Sequence, residues 1–248
     1  MSSPNRPHLA DRHPSKLGPA QDSLFGGGRT AMTDAGLKGR KRGPYAPTLK
    51  RRRHIAAAVL DLVDEVGPES VTTIQVAEKS GTPETTVLYH YPTKDDMLVA
   101  ALELADELGA ANAHVDDPEI RLDLEEFARS YRSPSSEDPR FRLSQLVRGL
   151  AATPGTSAAE YVHRRTHRQI EIFTRMFEQR KRDGLAHPDV DAGDLARQVI
   201  ALWEGLELLF AGDLGADSGR LLTDAIRRLS GENWMELRRA IGDAGRGF

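Results

Sequence analysis

The sequence predicts an all-α protein, and three observations predict it. From Pro47 onward apolar residues recur at helical spacing almost without a break. No stretch sustains the alternation of a half-buried strand, and β-branched residues are sparse. Gly and Pro fall between the periodic segments, at Gly67-Pro68, Gly81, Pro92, Pro118, Pro134, Pro154-Gly155, Gly184 and Gly215, where helices are expected to stop or start. A small three-helix unit over residues 47–93 is expected to precede a helical bundle over residues 94–230. Residues 1–46, rich in Ser, Pro, Gly, His and Arg, read as a disordered arm, and 231–248 as a tail or short helix.

In the first helix Ile55, Val59, Leu62, Val63 and Val66 share one face, and Gly67-Pro68 ends it. Thr72 or Thr73 is placed to cap a short second helix that carries Val76 and Ala77. Ser80-Gly81-Thr82 makes a tight turn, after which Thr82 is expected to cap a third short helix with Pro83 at its first position. Pro92 closes that helix, and Thr93-Lys94-Asp95-Asp96 resembles a capping box that opens a fourth. Met97, Leu98, Ala101, Leu102, Ala105 and Leu108 are its expected inward face. Further helices are expected at about 118–131, 139–152, 157–183, 191–212 and 218–230. Residues 199–210, VIALWEGLELLF, are apolar nearly all round, which suits a helix buried on both sides. One face would pack on its own body and the other on a second subunit, with Trp203, Leu206, Phe210, Leu222 and Ile226 as the expected dimer surface.

At 39% hydrophobic and 29% charged, the 248 residues can bury a sizeable core and contain no run long enough to span a membrane. The first residues lack the apolar segment of a secretory signal, and the absence of cysteine excludes disulfides and thiolate metal sites. A bacterial cytoplasm is the expected location. Met32 follows FGGGRTA, whose glycine codons can hide a ribosome-binding sequence, so translation starting at Met32 is an alternative to Met1. The net charge of −3 conceals a lopsided distribution. Residues 36–53 carry eight Lys/Arg and no acid, which leaves 26 basic against 37 acidic residues elsewhere, a net of −11. A basic arm on an acidic body is suited to meet a polyanion at one end.

Two short helices joined by a glycine turn make a helix-turn-helix, a unit whose second helix lies in the DNA major groove. This accounts for the composition of residues 80–94, SGTPETTVLYHYPTK. Thr85 and Thr86 are small enough for close approach to DNA, and Tyr89 and His90 are long enough to reach phosphate or a thymine methyl. Val87 and Leu88 are expected to seat the helix, and Lys94 adds a phosphate contact at the start of the next one. Arg40, Lys41 and Arg42 can reach the minor groove or flanking backbone, while Lys50 to Arg53, Lys50 and Arg51 foremost, are expected to meet phosphates.

Residues 59–102 resemble the TetR family of bacterial transcriptional regulators, with Thr73, Ala77, Gly81, Thr86, His90 and Lys94 where the family pattern has them. The resemblance implies phosphate contacts at Thr73, Thr86, His90 and Lys94 and base contacts at Glu84, Thr85 and Tyr89. Two positions depart from the pattern: Leu88 replaces a customary phosphate-contacting tyrosine, and Pro83 stands where a capping serine is common. Glu84 is unusual at a base-facing position, since a carboxylate repels phosphate but accepts from cytosine N4.

The resemblance further implies a helix-turn-helix DNA-binding domain followed by an effector-binding and dimerisation domain, a homodimer on a palindromic operator, and a small-molecule effector bound in the body. Phe127, Tyr131, Phe141, Leu146, Tyr161, His167, Ile170, Phe173, Phe177 and Trp203 are the candidate lining of an effector cavity, each with a core-packing alternative. His163 and His167 have a metal-compatible spacing but no accompanying acid, so a solvated or pocket-lining pair is the better reading. No catalytic constellation or phosphate loop is present, FGGGR having no preceding strand, so no enzyme activity, metal or cofactor is expected. The expectation is a ligand-released repressor. The alternatives are a regulator that answers to a protein partner, and a helical small-molecule-binding enzyme or carrier.

Overall fold

A computed structural model describes residues 46–112, 114–117, 120–130, 135–210 and 217–244. The basic arm with Met32, Arg40, Lys41 and Arg42 lies outside the described residues, as does Tyr131. Among the described residues there are only helices: α1 (Ala46–Val66), a 3₁₀ turn at Pro68–Ser70, α2 (Thr73–Ser80), α3 (Glu84–His90), α4 (Lys94–Asn112), α5 (Leu124–Ser130), α6 (Pro139–Leu150), α7 (Ser157–Arg182), α8 (Ala192–Phe210), α9 (Ser218–Ser230) and α10 (Glu232–Ala244).

Local chemistry sets most of the boundaries. Thr72 caps α2 in a full capping box, its hydroxyl accepting from Gln75 N while Gln75 accepts from Thr72 N. Gly81 ends α2 at φ 57°, and Gly81 N and Thr82 N donate to Glu78 O and Ala77 O, the Schellman pattern. Thr82 is therefore spent on the end of α2. Pro83 occupies the N-cap of α3 without a side-chain cap, and its carbonyl accepts from Thr86 N and Val87 N, so the expected Thr82 cap is corrected. Thr93 and Asp96 close the capping box of α4, and Asp96 also accepts from Ser157 Oγ at 2.7 Å, tying the starts of α4 and α7 together. Helix α5 begins six residues later than expected because Asp123 caps it, accepting from Glu125 N and Glu126 N. Of the two readings for the C-terminal segment, tail or short helix, the described residues form the 13-residue helix α10, held by a buried Arg180–Glu232 ion pair at 2.7 Å.

Two apolar clusters organise the body. The first joins Ile55, Val59, Val63, Val76, Val87 and Tyr91 to Met97, Leu98 and Ala101 of α4, Leu143 and Val147 of α6 and Tyr161 of α7. The second joins Phe127, Phe173, Phe177, Leu195, Val199, Trp203, Leu206, Leu222 and Ile226. Each such buried aliphatic side chain contributes about 1.5–3 kcal/mol of transfer free energy. Leu108, expected to point inward, is exposed where α4 passes from the first cluster to the second, and Val66 is exposed at the end of α1. No helix among the described residues is long and apolar enough to cross a membrane.

Candidate nucleic-acid interface

Helix α3 is seated by two residues on its inner side, one at its middle and one at its end. Val87 is fully buried, and Tyr91, just past the last turn, is almost fully buried. Leu88, expected to seat the helix beside Val87, is instead more than a third exposed. The outer side carries Glu84, Thr85, Leu88 and Tyr89, with Thr86 and His90 half-buried at its margins. Tyr89 is 80% exposed, and its ring makes an edge contact with His90 at 5.2 Å between centroids. An aromatic residue this exposed contributes nothing to the core, so its surface is available to a partner.

Helix α1 fixes the angle of this helix. The Arg52 guanidinium lies 4.5 Å over the Tyr91 ring and donates to His90 O at 2.9 Å, while Tyr91 Oη donates back to Arg52 O at 3.1 Å. His54 Nε2 lies 2.9 Å from Ser80 O, an arrangement in which the ring nitrogen donates to the carbonyl, and this holds the end of α2. Arg53 pairs with Glu107 of α4. Two of the four cations at the start of α1 are thus committed within the protein, which corrects the expectation that all four meet phosphate. Lys50 and Arg51 are exposed and make no ion pair among the described residues, and they remain the candidate phosphate contacts. Lys94 Nζ donates to Glu69 O at 2.6 Å, half-buried, with two ammonium hydrogens left over. Thr73 Oγ1 donates to Glu84 Oε1 at 2.5 Å, bridging the two helices of the unit. His54 and Tyr91 are the residues that sequence reasoning missed, and Arg52 it gave to phosphate; an aromatic just before the helix-closing Pro92 was the one visible signal.

In the body, a cleft of about 300 Å³ opens between α4 and α7, lined by Asp106, Ala110, Tyr161, Arg165, Gln169 and Ile172 among others. Asp106 accepts from Arg165 Nε at 2.7 Å and from Tyr161 Oη. Burial, followed by the charge of Asp106, pushes the Tyr161 hydroxyl far above its ordinary range, so it stays protonated and donates. Glu103–Arg164 and Asp116–Arg168 pairs at 3.2 and 3.0 Å flank this central pair. Of the proposed cavity residues that are described, only Tyr161 lines the cleft, while His167 and Ile170 border a wider, open groove along α7 with Asp116 and His163.

The other aromatic candidates pack on one another. Phe127 and Phe173 meet Trp203 edge-on at 5.7 and 5.9 Å, and Phe173 meets Phe177 at 6.0 Å. They fill the second cluster, so their assignment to a cavity gives way to a core role; Trp203 Nε1 is satisfied by Glu207 at 2.7 Å. Phe141 is half-buried, and Leu146 packs against the first cluster. Four of the five residues assigned to the dimer surface are corrected in the same way, while the side chain of Phe210 lies outside the described residues. Leu222 and Ile226 are fully buried in their own protomer and Trp203 and Leu206 nearly so, while Leu208 and Leu209 of α8 are 70% and 62% exposed. No group of three or more metal-ligating side chains occurs among the described residues.

No protein-family profile matches the chain. Over 99 residues, 40% of its length, it is 27% identical to the HTH-type transcriptional regulator BetI of Stenotrophomonas maltophilia (strain R551-3), and it spans 43% of the length of that curated relative. It is similar in structure to a protein of Mesorhizobium loti MAFF303099 assigned to the TetR family of transcriptional regulators, with TM-score 0.55 and 14% identity over 73% of this chain and 96% of the other. It is also similar to Salmonella enterica GusR, with TM-score 0.51 and 17% identity over 77% and 98% of the two chains.

Proposed function

We propose that this chain, which carries the fold of TetR-family regulators, is a homodimeric, sequence-specific DNA-binding transcriptional regulator. On this reading it is a repressor, released from a palindromic operator when a small molecule binds the helical body. It acts in the bacterial cytoplasm and is not an enzyme. The observation that carries the reading is the surface of α3: an 80% exposed Tyr89 among Glu84, Thr85 and Thr86, on a helix locked from behind by Val87, Tyr91 and Arg52. Lys50 and Arg51, exposed and without an ion pair among the described residues, flank it with positive charge, the arrangement a phosphate backbone recruits.

The α4–α7 cleft supports the effector half of the reading. Helix α4 shares the first cluster with α1 and α3 at one end and its ion pairs with α7 at the other. A ligand that competes for Asp106 or Arg165 would alter the seat of α4 and so the spacing of the two reading helices in a dimer. Such a ligand shifts the equilibrium only by its differential affinity for the two arrangements.

The test is fluorescence-anisotropy titration of the full chain with DNA from its own upstream region and with unrelated DNA, at two salt concentrations. Selective binding that weakens steeply with salt is the expected result. Tyr89→Ala is expected to weaken the specific complex by about tenfold while the protein keeps its mass and helicity, since a base-edge contact contributes on the order of 1–3 kcal/mol. Equal affinity for the upstream DNA and for random DNA after genome-wide selection would count against the reading, and unchanged binding by Tyr89→Ala would remove that residue from the interface.

A further inference from the structure

We propose that Glu84 selects cytosine at one base pair of each operator half-site, and that Thr73 is its positioning residue and not a phosphate contact. The proposal rests on the DNA-binding reading and adds to it which base is read and by what chemistry.

The Thr73 hydroxyl donates to Glu84 Oε1 at 2.5 Å, joining the first residue of α2 to the first residue of α3. A threonine hydroxyl has one hydrogen, and phosphate oxygens only accept. While that hydrogen lies on Glu84, Thr73 has none to give a phosphate, whatever its place in a helix-turn-helix implies. The bond also restrains a long side chain that would otherwise sample many rotamers on an exposed helix end, so less entropy is lost when it meets a base. Glu84 makes no other hydrogen bond and no ion pair among the described residues, which leaves Oε2 without a partner there at the exposed start of α3.

A carboxylate accepts and does not donate, so on the major-groove edge it suits only cytosine N4 and adenine N6. Guanine O6 and N7 and thymine O4 are acceptors and repel it. Adenine sets its N7 acceptor beside the N6 donor, and a carboxylate oxygen facing N7 is repelled. On cytosine the neighbour of the N4 donor is a C–H, with no lone pair. The carboxylate that Thr73 holds therefore favours cytosine over the other three bases. Glutamine at the same position would retain the Thr73 bond through its carbonyl and add an N–H donor, the pattern that matches adenine N6 and N7 together.

The experiment is selection from a randomised double-stranded DNA pool by the full chain and by its Glu84→Gln, Glu84→Ala and Thr73→Val variants, each confirmed folded by circular dichroism. For the wild type, cytosine is expected at one position per half-site, preferred about 5- to 10-fold, the low end for a single base-edge contact. Glu84→Gln is expected to move that position to adenine and Glu84→Ala to abolish its preference. Thr73→Val is expected to relax the same position alone and to leave the salt dependence of affinity unchanged. If Glu84→Gln selects the wild-type sequence unaltered, the assignment of Glu84 is overturned. If Thr73→Val weakens all sequences equally and leaves the cytosine preference intact, Thr73 is a phosphate contact and its positioning role is overturned. Enrichment of no sequence by the wild type would overturn the DNA-binding reading itself, an outcome distinct from enrichment of sites without the cytosine.

Discussion

His90 sits half-buried at the end of α3, and its imidazole is held below its ordinary pKa, first by burial and then by the charges of Arg52 and Arg51. A DNA phosphate beside it opposes both effects and favours the imidazolium. The pKa is then higher in the complex than in the free protein, so binding takes up a proton and affinity rises as pH falls through that interval. Operator affinity at low ionic strength is expected to strengthen as pH falls through and below the ordinary histidine range, and His90→Gln to flatten that part of the profile. A profile identical in the variant would detach His90 from the phosphate. At this scale the sequence identified which residue types gather at the helix-turn-helix but misjudged two of their jobs. Arg52 and Arg53 lie in a run of four cations, yet one stacks on Tyr91 and the other pairs with Glu107. Their partners are 39 and 54 residues away, beyond the reach of a local pattern.

The capping chemistry of α2 controls how firmly the reading unit is held. Thr72 satisfies Gln75 N and receives its side chain in return, on a helix of only eight residues that depends on such caps. Thr72→Ala is expected to lower stability by about 1 kcal/mol, read as a lower urea midpoint with an unchanged slope. No loss of midpoint would mean that tertiary packing of Val76 alone holds the helix. Caps were among the most legible features of the chain, because Thr72 and Thr93 each act within three residues of themselves. Thr82 was misread for the same reason: a threonine before a proline resembles a cap, but the Schellman turn around Gly81 had already claimed it. Between a tail and a short helix over 231–248 the sequence left the choice open, because Gly231 ends α9 in the left-handed region and the chain resumes a helix at once.

The two apolar clusters decide which large residues are left for a second subunit. Leu208 and Leu209 protrude from α8, whereas Trp203 and Leu206, one turn earlier, close the second cluster. In a homodimer built on the outer face of α8, the Leu208→Glu, Leu209→Glu double variant is expected to sediment as a folded monomer. Leu222→Ala is expected to cost about 2–5 kcal/mol of stability without changing the association state first. A double variant that still sediments as a dimer would move the interface to another face.

The sequence by itself determined the helical class, the helix-turn-helix and most of its caps, and a surface of hydroxyls and aromatics suited to DNA. These are written in spacings of three or four residues, where backbone geometry and side chain are neighbours along the chain. Only the tertiary structure decided that Phe127, Phe173, Phe177 and Trp203 satisfy one another, that Asp106 on α4 meets Arg165 on α7, and that Thr73 turns to Glu84. A helix presents many side chains able to make a contact. Which contact forms depends on the distance between helices, and that distance is set by packing summed over the whole core.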